Sequence, residues 1–162
     1  MIGTATLSPP RSLAGMGQIV FVANDATATT VLGSCVGVAI YDPAEMLGAL
    51  AHIVLPRAEG RPGSPGKYVD TAIPWMIEAL KQRGAVPRRL VAKLTGGAKM
   101  FTTQGPFLIG EQNAEATRCL LKQFRIPLVA EHVGGAQGRR ATFVADTGQL
   151  SVEVVGQSIV IL

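Results

Sequence analysis

Two residues that could act together as nucleophile and base, Cys35 and His52, lie in the first third of the sequence. A free thiol has a pKa of about 8.5, so little of it is thiolate at neutral pH, and a neighbouring imidazolium lowers that pKa. A thiol beside an imidazole is the nucleophile–base pair of cysteine hydrolases. The alternative is that Cys35 is a small buried hydrophobe and His52 a satisfied core residue. Their relative position decides between the two interpretations.

The segments that carry Cys35 and His52 are predicted to be neighbouring antiparallel strands. Asp42-Pro43 lies between them and favours a turn. If Ile40 pairs with Leu47 across a six-residue loop, Cys35 lies directly opposite His52. Directly opposed residues point to the same face, with Cβ atoms about 4.5–5.5 Å apart. A register slip of one residue would place the two side chains on opposite faces.

The residues just before Cys35 could supply what a hydrolytic site needs beyond its nucleophile and base. A third polar group must orient the histidine, and Thr29 or Thr30 on the preceding segment is the nearest candidate. Gly33 and Ser34 leave little bulk beside the thiol and could let backbone N–H groups turn toward a developing oxyanion. We therefore predict oxyanion support from the backbone at Gly33 and Ser34.

The remaining cysteine and histidine are predicted to be structural. Cys119 falls within a helical pattern, on the face that would also carry Ala116, Leu120 and Phe124. His132 stands beside a glycine turn, where a structural or surface role is the expectation. Two histidines and no CxxC pair argue against a metal site. We expect neither a metal nor an organic cofactor.

The spacing of apolar residues predicts strands and helices in a mixed order. Strands are expected over residues 18–22, 29–32, 35–42, 47–55, 90–94 and 128–133, helices over 68–83 and 111–124, and a hairpin over 140–155. This order favours a mixed α/β (α+β-like) layered fold with no internal repeat. We expect a flexible N-terminal arm over residues 1–16 and a single domain over residues 17–162.

Composition limits the classes of function. Nearly half of the 162 residues are hydrophobic and the mean hydropathy is +0.31, as in a folded globular domain. The net charge is +4, but the basic residues are scattered without interleaved aromatics, which argues against nucleic-acid binding. No signal peptide and no run of about 18 apolar residues is visible. Two cysteines do not make a disulfide framework. We expect a cytoplasmic monomer without membrane insertion.

The sequence resembles the CheD family of chemoreceptor glutamine deamidases. The resemblance rests on an ordered set of motifs: Thr29-Thr30-Val31-Leu32-Gly33-Ser34-Cys35-Val36, Tyr41-Asp42-Pro43, Gly48-Ala49-Leu50-Ala51-His52, Lys67-Tyr68-Val69-Asp70, Gly96-Gly97-Ala98-Lys99-Met100-Phe101, Ile109-Gly110-Glu111-Gln112-Asn113 and Glu131-His132-Val133-Gly134-Gly135. The similarity spans roughly residues 18 to 155. A histidine seventeen residues after the LGSC element is specific to this pattern.

The resemblance implies an α/β/α layered domain with a Cys–His–Thr catalytic triad. Carried over by position, the nucleophile is Cys35, the base is His52, and the threonine six residues before the cysteine is Thr29, with Thr30 an adjacent ambiguity. It implies conversion of receptor glutamines to glutamates on methyl-accepting chemotaxis receptors, and in some members hydrolysis of glutamyl methyl esters. A CheC-type phosphatase is an implied partner in some bacteria. A non-catalytic adaptor that binds the same partners, and a cysteine hydrolase acting on another protein amide or ester, are the alternatives.

Overall fold

Residues 10–100 and 108–162 are described by this computed structural model, and they form ten strands, two α-helices and two short 3₁₀ helices, Pro65–Lys67 and Pro87–Arg89. The strands are β1 (Arg11–Leu13), β2 (Ile19–Ala23), β3 (Thr27–Leu32), β4 (Val36–Asp42), β5 (Leu47–Ile53), β6 (Val91–Gly96), β7 (Leu128–Val133), β8 (Arg139–Val144), β9 (Leu150–Glu153) and β10 (Val160–Ile161). The helices are α1 (Val69–Gln82) and α2 (Ile109–Gln123). No described helix has the length and apolar character needed to cross a membrane.

The strands make two five-stranded sheets. The first sheet has the order β1-β3-β8-β9-β10 and the second the order β2-β5-β4-β6-β7. Both helices pack on the second sheet, through β4 and β5 for α1 and through β4, β6 and β7 for α2. The two sheets face each other across a core that includes Ala39 and Leu50 from the second sheet and Leu32, Phe143 and Leu150 from the first. All seven residues of β4 are buried because this strand is covered on both faces.

The predicted mixed α/β fold of a single domain is confirmed, but the order of the layers differs from an α/β/α arrangement. The layers run from the helices to the second sheet and then to the first sheet. The first sheet thus occupies the place expected for a second helical layer. Most predicted strands and both helices are present within a few residues of their expected bounds. The short strands β1 and β10, which carry few apolar residues in a periodic pattern, were not predicted.

The expected flexible arm over residues 1–16 is corrected for its described part. Arg11–Leu13 pairs in parallel with Thr27–Thr29 as β1, and Ala14 is buried. The backbone N–H of Ala14 also donates to the carbonyl oxygen of Thr29. Residues 1–9 lie outside the described part of the chain, as does Phe101 of the glycine-rich motif. The segment after Pro10 is therefore part of the first sheet.

The buried face of α2 also differs from the predicted one. Cys119 and Phe124 are exposed, whereas the buried positions include Asn113, Ala114 and Thr117. Thr117 satisfies its hydroxyl by donating to the carbonyl oxygen of Asn113 at 2.7 Å. Polar residues that find hydrogen-bond partners can lie in a core, and a pattern based on apolar residues alone misplaces such a face.

The register of the β4–β5 hairpin is shifted by two residues from the predicted one. Ile40 pairs with Ala49, and Asp42 pairs with Leu47, so the connecting turn is residues 43–46. The Asp42 carboxylate accepts hydrogen bonds from the backbone N–H groups of Ala44 and Glu45, which is the local bonding by which aspartate starts tight turns. The strand therefore runs two residues further than the assumed six-residue loop allowed.

Candidate active site

Cys35 lies at the open end of the second sheet, directly before β4 begins. Gly37, two residues later, is the residue that pairs with His52. Because side chains alternate along a strand, a shift of two residues preserves the face. Cys35 and His52 are therefore on the same face of the sheet, the one that looks toward the first sheet, although Cys35 is not directly opposite His52 as predicted. The described contacts include no hydrogen bond between the two side chains.

Thr30 of the first sheet contacts the imidazole of His52 across the gap between the sheets. Its Oγ1 lies 2.8 Å from His52 Nδ1 and 2.7 Å from the carbonyl oxygen of Ala14. A carbonyl can only accept, so the single hydroxyl proton of Thr30 goes to Ala14. Oγ1 must then accept a proton from Nδ1, which fixes neutral His52 as the Nδ1–H tautomer. This leaves Nε2 unprotonated and able to act as a base.

The predicted contact between Thr29 and His52 is wrong, and Thr30 makes it instead. Thr29 is only half-buried, and its Oγ1 lies 3.2 Å from the Oγ1 of Thr142 on β8. Neighbouring residues of a strand point to opposite faces, so only one of the two threonines can look into the space between the sheets. Thr30, which is fully buried, is that residue.

Burial shifts both pKa values at the site, and in opposite directions. Burial raises the pKa of the Cys35 thiol, partly offset by the backbone N–H of the same residue. Burial lowers the pKa of His52, partly offset by the carbonyl of Ala14. Desolvation disfavours the charged form of each group, so at neutral pH the pair is a neutral thiol and a neutral imidazole. The lowered thiol pKa expected for a cysteine beside an imidazolium is not what this environment produces.

The backbone around Cys35 is anchored through its carbonyl groups. The carbonyl oxygen of Gly33 accepts from Ala98 N–H, and that of Cys35 accepts from Gly97 N–H, each at 2.9 Å. The carbonyl oxygen of Ser34 accepts from the side-chain amide of Asn113 at 3.2 Å. Among the described residues no hydrogen-bond acceptor takes the N–H groups of Gly33 and Ser34, and the N–H of Cys35 interacts with the sulfur of its own residue. Backbone N–H groups of this kind can stabilise an oxyanion.

Two glycines at the end of β6 make this anchoring possible. Gly96 has a φ of +99°, and a Cβ there would collide with the carbonyl oxygen of Cys35. Gly97 has a φ of +64° and approaches Gly110 of α2 too closely for a side chain. These glycines therefore support the segment that carries the thiol, which is a structural role.

The other candidate residues lie outside this cluster. The ring of His132 is held by Arg139, whose Nη1 lies 2.9 Å from His132 Nδ1, and Cys119 is exposed on α2. Within residues 10–100 and 108–162, no three His, Cys, Asp or Glu side chains are grouped so that they could hold a metal ion. Sequence reasoning missed Ala14 and Asn113, and of these only Asn113 stood in a recognised motif.

The fold and the site define a mixed α/β protein in which Thr30 of the first sheet contacts His52 of the second, with Cys35 on the same face as His52. The family model described as "CheD chemotactic sensory transduction" matches residues 54–154. The chemoreceptor glutamine deamidase CheD of Thermotoga maritima is 42% identical over 147 residues, covering 90% of this chain and 93% of that protein. The chain belongs to the CheD family.

Two further relatives show the same similarity. The probable chemoreceptor glutamine deamidase CheD of Archaeoglobus fulgidus is 39% identical over 143 residues, covering 87% of this chain and 91% of that protein. The protein of the same description from Symbiobacterium thermophilum is 46% identical over 132 residues, covering 78% and 80%. Among solved structures, Neisseria meningitidis protein NMB0706 superposes with a TM-score of 0.49 and 12% identity, over 79% of this chain and 63% of that one.

Proposed function

We propose that this protein deamidates glutamine side chains of chemoreceptors, with Cys35 as nucleophile, His52 as base and Thr30 as the residue that orients the base. The relatives named above are described as chemoreceptor glutamine deamidases. The observation that carries the proposal is the hydrogen-bonded series from Ala14 through Thr30 to His52. This series of hydrogen bonds leaves Nε2 of His52 without a proton, and the imidazole lies on the same face of the sheet as the thiol.

The first half of the proposed reaction forms a thioester. His52 Nε2 removes the proton of the Cys35 thiol as the sulfur attacks the amide carbon of the glutamine side chain. The negative charge that develops on the amide oxygen is stabilised by backbone N–H groups of residues 33–35. The imidazolium then donates its proton to the amide nitrogen, the C–N bond breaks and ammonia leaves.

The second half regenerates the enzyme. His52, neutral again, removes a proton from a water molecule as that water attacks the thioester carbon. The C–S bond breaks, the sulfur regains a proton from the imidazolium, and the product is a glutamate side chain. A neutral side chain of the receptor thereby becomes an anion, and this changes the electrostatics of receptor packing. A glutamyl methyl ester could pass through the same steps with methanol as the leaving group.

The proposed activity also bears on the location and partners of the chain. The substrate would be the cytoplasmic part of a methyl-accepting receptor, so we propose a cytoplasmic location for the chain. A CheC-type phosphatase as partner, the monomeric state and the absence of nucleic-acid binding stay predictions from the sequence. A protein that only binds these partners would not need the paired orientation of His52 and Thr30.

The proposal is tested by incubating receptor fragments with the wild-type protein and with Cys35→Ala, and measuring peptide masses and released ammonia. We expect the mass gain of amide-to-acid conversion with the wild type only. Thr30→Val should lower kcat about 10- to 100-fold because the base loses its orientation, whereas Thr29→Val, the matched control, should leave it nearly unchanged. A fully active Cys35→Ala protein would exclude this mechanism, and binding without ammonia release would favour an adaptor.

A further inference from the structure

The side chain of Asn113 reaches from α2 to the backbone on both sides of the proposed active site. It is fully buried. Its Nδ2 donates to the carbonyl oxygen of Ser34 at 3.2 Å and to that of Val54 at 3.0 Å. Ser34 directly precedes the thiol-bearing residue, and Val54 follows the strand that carries His52. One amide therefore links the segments that bear the nucleophile and the base.

Its two hydrogen bonds fix the orientation of this amide, but they leave its oxygen atom without a partner among the described residues. The flipped rotamer would place Oδ1 against the carbonyl oxygens of Ser34 and Val54, which is repulsive. In the observed rotamer, Oδ1 of Asn113 is buried and has no hydrogen-bond partner within the described part of the chain. Such unpaired buried groups are uncommon in native proteins and call for an explanation. An apolar residue of similar shape would avoid the unpaired oxygen, so packing alone does not explain Asn113.

The bond to Ser34 has a consequence for the next residue. The carbonyl of Ser34 and the N–H of Cys35 belong to one peptide group, which is planar and trans, so they point in opposite directions. Because the carbonyl is held toward α2, the N–H of Cys35 points away from α2 and toward the gap between the sheets. The same N–H lies close enough to its own sulfur to act on it.

We propose that Asn113 is a positioning residue, which holds the Ser34–Cys35 peptide group so that the Cys35 N–H faces the oxyanion formed at the substrate. This proposal rests on the proposed function. Asn113 touches neither the thiol nor the substrate; it acts through the peptide group that it anchors. The bond to Val54 keeps that peptide group at a constant distance from the strand that carries His52.

The test uses Asn113→Leu, which keeps the branched shape and adds no charge. We expect kcat for receptor deamidation to fall by about tenfold or more, because removal of an oxyanion donor lowers kcat about 10²–10³-fold, while KM changes little. Thr117→Val is the matched control: Thr117 is equally buried one turn further along α2, and its hydroxyl donates to the helix backbone at Asn113. Its kcat should stay close to that of the wild type.

A second measurement keeps the two proposals separable. The rate of Cys35 alkylation by iodoacetamide, followed by mass spectrometry across pH, requires no receptor substrate. Asn113→Leu should shift this profile to higher pH, because the thiolate loses the aligned N–H, and Thr117→Val should not. If the wild type proves inactive on receptors, this shift alone still tests the positioning role. Asn113→Ala serves if the leucine variant does not fold. An unchanged alkylation profile with an unchanged kcat would overturn the inference.

Discussion

The third member of the proposed triad is a hydroxyl, so it adds no charge that would oppose the effect of burial on the pKa values of the other two. A carboxylate beside His52 would stabilise the imidazolium and raise the pKa of the ring. Thr30 carries no charge, and it gives its only proton to Ala14, so it can orient the imidazole without favouring protonation. In the proposed mechanism the thiol and the imidazole are therefore both neutral before the reaction, and the proton moves only when the sulfur attacks.

This neutral pair predicts a distinctive pH dependence. The pKa of Cys35 is raised by burial above the reference value of 9.0, so alkylation of Cys35 should keep rising with pH beyond 9.0. The pKa of His52 is lowered below 6.5, so the free base persists below that pH and the acid limb of the deamidation rate should have its midpoint below 6.5. Peptide mass spectrometry follows Cys35 separately from the exposed Cys119. A Cys35 midpoint well below 9.0 would indicate a resting ion pair instead.

At the level of elements, the β4–β5 hairpin is held by the buried carboxylate of Asp42. Its oxygens accept from the N–H groups of Ala44 at 3.0 Å and Val86 at 2.9 Å, and the guanidinium of Arg89 makes an ion pair at 2.9 Å. Burial alone would raise the pKa of Asp42, but the hydrogen bonds from Arg89 and from backbone N–H groups lower it below its ordinary value. Asp42 thus fixes the turn that sets the register of β4 against β5.

Asp42→Ala should lower the free energy of unfolding by about 3 kcal/mol, because it leaves buried N–H groups without an acceptor. A carboxylate with a lowered pKa contributes stability above its unfolded pKa and loses it as the pH falls below the ordinary value of 3.8. The difference between wild type and variant, measured by urea unfolding, should therefore be large at pH 7 and shrink at pH 3. Asp25→Ala, at an exposed position, is the control; an equal loss in both variants would contradict this role.

The same hairpin shows what could be predicted from the sequence and what could not. Apolar spacing located the two strands, and residue chemistry selected Cys35 and His52. The register depended on where the turn began, and the hydrogen bonds of Asp42 decide that by tertiary contacts with Val86 and Arg89. The predicted register of β4 against β5 was wrong by two residues, so it still placed Cys35 and His52 on the same face of the sheet. The choice of Thr29 was wrong by one residue, so it selected a side chain on the opposite face from Thr30.

Strand pairings between distant segments could not be predicted from sequence patterns, because they too depend on tertiary contacts. In the first sheet, β1 pairs in parallel with one edge of β3, and β8 pairs in antiparallel with the other edge. The β3–β8 pairing brings together segments more than a hundred residues apart, and local periodicity carries no signal for it. The role of Asn113 was hidden in the same way, because its partners lie in two distant segments and its polar type suggests exposure.

For the molecule as a whole, the proposed site exists only where the two sheets face each other. Thr30 belongs to the first sheet, His52 belongs to the second, and Cys35 lies in the short connection from β3 to β4 that joins the two sheets. The contact at the other end of the gap is made by Phe143 of the first sheet, whose ring lies 5.3 Å from that of Tyr41. Tyr41 is four residues along β4 from Gly37, or about 13 Å. Packing at one end should therefore influence the distance between Thr30 and His52 at the other.

Phe143→Ala should lower the free energy of unfolding by about 3–5 kcal/mol. It should also lower kcat under conditions where the variant is fully folded, because the two sheets are no longer held at a fixed spacing. Met76→Ala is the matched control, since Met76 is equally buried but lies between α1 and the second sheet. It should lose about 2–5 kcal/mol with little change in kcat. Urea unfolding gives the stabilities, and ammonia release from receptor fragments gives kcat. Equal effects of both variants on kcat would show that general stability, and not the spacing of the sheets, controls the site.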